Sequence, residues 1–211
     1  MKHSLTGGSN AYIWWYCPGS VYLNKVVPVI ENDAMRKGTE LHEEADCVLT
    51  GGVDAKSKII KDYIAMLPDD WKDGMWASEL GVHHHNHTFA FGTIDLCWKD
   101  GSHRQHVCDL KTGSCKVDVT NNEQLLTYAY WLSPDDLPIL HIAQPKVSSR
   151  LATWEPTQEE WDAAKKQIDW ALDSVYNGPV ELVTGTHCAR CRAKDFCPKK
   201  KAQRDAAVEG W

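Results

Sequence analysis

Phenylalanine is scarce in this chain, at 3 of 211 residues, and no apolar run approaches the ~18 residues that a membrane-crossing helix needs. A membrane span is therefore not expected. Met1 to Asn10 lacks the apolar core of a secretion signal. A cytoplasmic, reducing compartment follows as the expectation, and with it free thiols rather than a disulfide framework. Positive charge is not in excess: 23 Lys and Arg face 29 Asp and Glu, for a net charge of −6. That balance excludes a histone-like, charge-driven nucleic-acid binder, though not an enzyme that meets DNA through a local basic groove and a divalent metal. Internal repeats, low-complexity tracts and a G-x4-G-K-[ST] phosphate loop are all missing. What is present is ordinary globular composition, 43% hydrophobic and 25% charged. The length fits a single domain, residues 1–211, with enough chain to bury a core. Tryptophan is abundant at 10 residues. The default reading is core packing, with base stacking by Trp14, Trp15 and Tyr16 as the alternative.

The eight cysteines divide unevenly. Cys47, Cys97, Cys108 and Cys115 stand singly in helix- or strand-like contexts and read as small buried hydrophobes. Cys188, Cys191 and Cys197 form C-x2-C-x5-C-P in a polar, loop-rich segment, the spacing of metal or cluster ligands. Three thiolates need a fourth ligand. Cys17, in another Cys-Pro step, is the first candidate and His187 the competitor. Four thiolates suit either a tetrahedral Zn2+ or an iron–sulfur cluster, and spacing leaves both open. A Cys17 ligand would close a very long loop and join the two ends of the chain.

Periodicity and punctuation predict the elements. Residues 9–25 are helical up to the Cys17-Pro18 step. Asn32 or Asp33 caps a helix over Ala34–Leu49, ended by Gly51-Gly52. A second helix covers 55–67, stopped by Pro68. Strands follow at Met75–Val82, Thr88–Lys99 and Gln105–Lys111. Asn121 or Asn122 caps a helix to Leu132, Ile139–Val147 is a fourth strand, and Thr157 caps a long helix to about Tyr176. The order predicts an α/β protein with a mixed central sheet flanked by helices. Its core would cover about residues 30–176. Residues 9–28 and 178–200 would form a cysteine lobe joining the N- and C-termini.

Strand period puts Asp109 and Lys111 on one face and Leu110 on the other. An acid and a lysine side by side at a strand end can hold a divalent metal and orient an attacking water, although Asp-x-Lys alone also describes an ordinary ion pair. Asp95 on the preceding strand can complete the site. Hard carboxylate oxygens select Mg2+ or Mn2+. A two-residue turn at Asp100-Gly101 would set Asp95 opposite His106. To bring Asp95 opposite Asp109 requires a loop of about Asp100 to Arg104, or splayed strands, and one of these is predicted.

Five segments in order resemble the PD-(D/E)XK nuclease superfamily in its RecB-like branch: Gly38-Thr39-Glu40-Leu41-His42, Glu79, Gly92-Thr93-Ile94-Asp95, Asp109-Leu110-Lys111 and Gln124-Leu125-Leu126-Thr127-Tyr128. The cysteines resemble the iron–sulfur subset of that branch, which includes AddB-type and CRISPR-associated RecB-like exonucleases and small phage-encoded members. The resemblance spans about residues 9–200. It implies a restriction-endonuclease-like core and a Mg2+- or Mn2+-dependent DNA exonuclease acting on single-stranded or free ends. It implies a metal held by His42, Asp95, Asp109 and the Leu110 carbonyl, with Glu79 behind them or at a second metal. Lys111 would orient water, while Gln124 and Tyr128 would support the site and touch the strand. Cys17, Cys188, Cys191 and Cys197 would hold a [4Fe-4S] cluster, with Zn2+ as the alternative. Outside the resemblance, Arg36 and Lys37 precede the Gly-x3-His motif and could line the entrance for a DNA strand, and Lys199 and Lys200, which read first as a solvated tail, could contact phosphate beside the cysteine lobe.

The implied setting is phage DNA recombination, replication or degradation in the host cytoplasm, alongside a helicase, recombinase or single-strand-binding partner. Two other functions stay open. One is a CRISPR-adaptation-type nuclease that trims spacer precursors. The other is a non-catalytic nucleic-acid-binding protein with a Zn lobe. His83, His84, His85 and His87 resemble a metal site but read as a solvated hairpin turn.

Overall fold

The computed structural model describes residues 4–178 and 181–209. In chain order the helices are α1 (Ala11–Trp14), α2 (Ser20–Val26), α3 (Asp33–Gly51), α4 (Lys58–Met66), α5 (Glu123–Leu132), α6 (Gln158–Tyr176) and α7 (Pro198–Glu209). The strands are β1 (Trp76–His83), β2 (Phe91–Lys99), β3 (Gln105–Leu110), β4 (Ile139–Ala143) and β5 (Ala152–Trp154). They form one five-stranded sheet in the order β1-β2-β3-β4-β5. The β3–β4 pair is parallel, with α5 as the crossover, and the other pairs are antiparallel. The sheet is mixed, as expected.

Alternation along the strands sends two apolar sets to opposite faces. Leu96, Trp98, Cys108 and Leu110 pack with Leu41 and Leu49 of α3 and with Ile60 and Tyr63 of α4. Val107, Leu140 and Ile142 pack with Leu125 and Leu126 of α5, with Trp161 and Ile168 of α6, and with Trp14 and Trp15. Helices thus cover both faces. Trp14, Trp15, Trp71, Trp98, Trp131 and Trp161 are buried in these cores. Burial removes Trp14 and Trp15 from any stacking surface; only Tyr16 of that trio is exposed.

The helix starts follow from local chemistry. Asn32, Ser57, Asn122 and Thr157 each accept a backbone N–H of the first turn, and Thr157 and Glu160 form a reciprocal capping box. The expected second helix begins later than position 55, because Glu44 Oε1 accepts the N–H groups of Lys56 (2.7 Å) and Ser57 (2.6 Å) and holds the approach extended. The expected fourth strand stops at Ala143, because Pro145 has no N–H to continue a ladder. Three elements escaped the sequence reading. Helix α2 begins at Ser20, beyond the Cys17-Pro18 step where the N-terminal helix was expected to end. β5 has only three residues, too few to show a period. Helix α7 lacks an apolar stripe, although Pro198 at its first position is a helix-start signal.

Between β2 and β3 the pairing runs from Leu96–Cys108 to Lys99–Gln105. The connection is therefore 100–104, the longer loop expected. Asp100 Oδ1 accepts the N–H groups of Ser102 and Arg104 and closes it. Among the described residues no helix is long and apolar enough to cross a membrane.

The N- and C-terminal segments meet. Gly19 N donates to Glu181 O at 3.0 Å, where a Cβ on residue 19 would lie 2.6 Å from that oxygen. The backbone approach there requires glycine. Asn24, buried on α2, accepts Ala193 N at 3.1 Å and contacts Cys191 Sγ at 3.6 Å.

Candidate functional site

Asp95 lies in the middle of β2, one step beyond the Leu96–Cys108 pair, and continuing that register sets it opposite Asp109 near the end of β3; α3, α5 and β1 supply the rest of the site. Asp95 Oδ2 accepts Leu110 N at 2.7 Å, and Asp95 Oδ1 lies 3.1 Å from His42 Nδ1. Glu79 Oε1 is 4.0 Å from the same nitrogen. One ligating atom from each of His42, Glu79 and Asp95 lies within 4.8 Å of the other two. Glu79 sits in β1 with φ of 48°, in the left-handed region. A non-glycine strand residue pays of order 1–3 kcal/mol for that conformation. Here it accompanies a carboxylate turned toward two other charged groups.

On the α5 side, Gln124 bridges the acid and the lysine. Its Nε2 donates to Asp109 Oδ1 at 2.6 Å and its Oε1 accepts Lys111 Nζ at 2.8 Å. Lys111 Nζ is also 2.8 Å from Asp109 Oδ2, an ion-pair contact. Among the described residues the Lys111 ammonium is the partner of that buried oxygen.

Burial and like charge raise the Asp109 carboxyl, and the Lys111 ammonium opposes them. Burial would lower Lys111, but Asp109, with a smaller push from Asp95, holds it above the usual lysine range. Burial and the Asp95 charge push Glu79 up to about 7. His42 is taken to about 9 because the Asp95 hydrogen bond and charge outweigh its burial. Three carboxylates crowded into one partly buried place are the arrangement that a divalent cation relieves.

Tyr128 stands one turn beyond Gln124 on α5 and is buried. Its ring is clamped between two glycines. A Cβ on Gly8 would lie 2.4 Å from Tyr128 Cε1, and one on Gly92 would lie 2.6 Å from it. The glycine of Gly92-x-x-Asp95 therefore has a steric reason. Gly38 has none: a Cβ there would meet only Thr112 Oγ1, at 3.7 Å.

The sequence reading missed Tyr63 of α4. Among the described residues its fully buried hydroxyl has no hydrogen-bond partner, and burial together with Cys108, Asp95, Asp109 and Glu79 raises it well above its usual value. Only its place on the apolar stripe of α4 could have signalled it, and that stripe reads as core.

The remaining candidates lie elsewhere. Arg36 pairs with Asp33, and Lys37 with Glu40, on the exposed first turns of α3. Lys199 and Lys200 begin α7. A cleft lined by Cys188, Lys194, Lys200 and Arg204 adjoins them.

Cys17, Cys188 and Cys191 are buried and Cys197 is half-buried. Val183 N donates to Cys17 Sγ at 3.3 Å and Gly185 N to Cys188 Sγ at 3.4 Å. Burial, with the nearby Cys188 and Cys191 thiols, raises Cys17. His187 stacks on Tyr16, and its Nε2 contacts Val183 O at 3.0 Å. The solvated-turn reading of the histidines needs correction: His84 is 1% exposed and contacts Asp169 of α6. The hairpin packs on α6, and no local pattern in the sequence announces that contact.

The profile of the family described as "Protein of unknown function (DUF2800)" matches residues 77–209. No curated protein matches. A solved structure described as "Crystal structure of SSO0001" superposes with a TM-score of 0.48 at 16% identity, covering 90% of this chain and 85% of that one.

Proposed function

For this chain, which belongs to the DUF2800 family of proteins of unknown function, we propose a metal-dependent deoxyribonuclease of the PD-(D/E)XK superfamily. It would degrade DNA exonucleolytically from single-stranded or free ends. The observation that carries the reading is the Asp109–Gln124–Lys111 bridge beside the His42–Glu79–Asp95 group. An ordinary surface ion pair would not be buried, would not be braced by a second helix and would not face three further titratable groups.

The donor set fits Mg2+ or Mn2+: carboxylate oxygens and one imidazole, with the buried Asp109 carboxylate beside them. His42, Asp95, Asp109 and the Leu110 carbonyl would hold the ion, with Glu79 adjoining. When bound, the ion offsets charge on the phosphodiester and makes water a better nucleophile. The chain does the positioning. Asp95 and Asp109 are set by the β2–β3 register. Lys111, paired with Asp109 and Gln124, stays a cation and orients water and phosphate instead of accepting a proton. Gln124 holds acid and lysine at fixed separation, and Tyr128 braces Gln124 from inside.

For the four cysteines the reading is a [4Fe-4S] cluster, with Zn2+ as the alternative; three of the thiols are buried and the fourth is half-buried, and four thiolates suit either group. Its role is structural, joining the first and last segments of the chain.

The test is digestion of end-labelled single-stranded and duplex DNA in Mg2+ or Mn2+ by wild type, Asp109→Ala and Lys111→Ala. The expected result is metal-dependent release of nucleotides, reduced at least ~100-fold in both variants, as for loss of a group that stabilises charge in the transition state. A folded, iron-loaded wild type that leaves every substrate intact overturns the reading.

A further inference from the structure

The hairpin tip that follows β1 carries a second group of ligating side chains, away from the carboxylate site. His84 N donates to Ala90 O at 2.9 Å and Ala90 N to His87 O at 2.8 Å, so the tip is a closed turn. It is pinned to α6 at two places one helical turn apart. His84 Nε2 is 2.9 Å from Asp169 Oδ1, and His87 Nε2 is 2.9 Å from Asp173 Oδ1. The His84 and His85 rings lie with centroids 4.2 Å apart, tilted by 33°. One ligating atom from each of His84, His85 and Asp169 lies within 4.8 Å of the other two.

We propose that His84, His85 and Asp169 form a binding site for a divalent transition-metal ion of the zinc class, independent of the carboxylate site.

Three features support it. The donors are two imidazoles and one carboxylate, a borderline-soft set that favours zinc over magnesium. Asp169 is oriented from behind. Tyr130 of α5 donates to both of its oxygens, at 3.1 Å each. Such supporting hydrogen bonds are what set metal-ligand geometry. The third feature is small reorganisation. Bonds of ~2.0–2.1 Å in a tetrahedron place donor atoms about 3.3 Å apart. His84 and Asp169 are already closer than that, and the exposed His85 can swing the remaining distance. Because Asn86 N donates to Nδ1 at 3.2 Å, the His84 proton sits on Nε2. Binding of an ion at Nε2 would move that proton to Nδ1 and give up the Asn86 contact, so that His84 serves as a neutral imidazole. The fourth position stays open to water or to His87.

Calorimetric titration of Zn2+ into the full-length protein tests the site, with wild type, His85→Ala and Asp169→Asn compared in the absence and presence of excess Mg2+. One zinc equivalent should weaken 10–100-fold in both variants, the range for disturbing a ligand set. Excess Mg2+ should leave that equivalent in place. Zinc should raise the melting temperature of wild type and not that of His85→Ala, whose exposed side chain is dispensable for folding. Wild type binding no zinc, displacement of the equivalent by Mg2+, or either variant binding zinc as tightly as wild type would each overturn the proposal. Zinc held at the cysteines or at Asp95 would be indifferent to both substitutions, so the outcome is separable from that of the digestion assay.

Discussion

Single atoms decide much of the candidate site. At Gly92 a methyl group would fall 2.6 Å from the buried Tyr128 ring, which is approached just as closely by Gly8. Gly92→Ala should destabilise the fold by about 1–3 kcal/mol, the range for overpacking. Tyr128→Leu in the same chain should recover part of that loss, and a double-mutant cycle by chemical denaturation measures the coupling. His141 gives a pH dependence. It is buried against Trp98 and His106, and its Nδ1 lies 2.9 Å from Thr153 Oγ1. Burial, reinforced by His106, lowers it to about 3. A histidine depressed in the folded state protonates first in the unfolded chain. Its stabilising contribution is thus complete above the unfolded value of ~6.5 and is lost as pH falls below it. Between pH 7.5 and 5.5 this one group should cost about 1.4 kcal/mol. The melting temperature of His141→Gln should accordingly fall less over that interval than that of wild type.

At the scale of elements, caps and register do the positioning. Thr157 and Glu160 close the capping box of α6, the helix that carries Asp169 and Asp173. Thr157→Ala should lower stability by about 1 kcal/mol, read as a drop of roughly 2–4 °C in thermal melting for a chain of this size. DNA digestion should be unaffected, since α6 contributes nothing to the Asp109 bridge. Most helix starts and stops were legible from Asn32, Asn122, Thr157, Pro68 and the Gly51-Gly52 pair, because capping is a local hydrogen-bond problem. The Asp95–Asp109 alignment was legible only as a condition on loop length. Pairing of Lys99 with Gln105 met that condition. α2, β5 and α7 were not legible: α2 follows the Cys17-Pro18 step that reads as a helix end, β5 is too short to show a period, and the sequence of α7 has no apolar stripe.

At the scale of the whole molecule, the two ends of the chain are joined through Asn24, Gly19 and the cysteine segments. Asn24→Ala would strand the buried Ala193 N–H, at a cost of about 1–3 kcal/mol. Limited proteolysis should then cut the segment after α6 before the core, whereas wild type should resist at both places. What the residues determined by themselves was local or periodic: element types, the shared face of Asp109 and Lys111, the mixed α/β order and the C-x2-C-x5-C spacing. Those follow from backbone capping and from side-chain periods of two and 3.6 residues. Only the tertiary structure decided which distant groups meet. It brought Gln124 between Asp109 and Lys111, turned Glu79 toward His42, set Tyr63 beneath the acids and pinned the His84 turn to Asp169. Each of these contacts joins elements far apart in the chain. Their closeness is fixed by how helices pack on a sheet, and no short window of sequence contains that information.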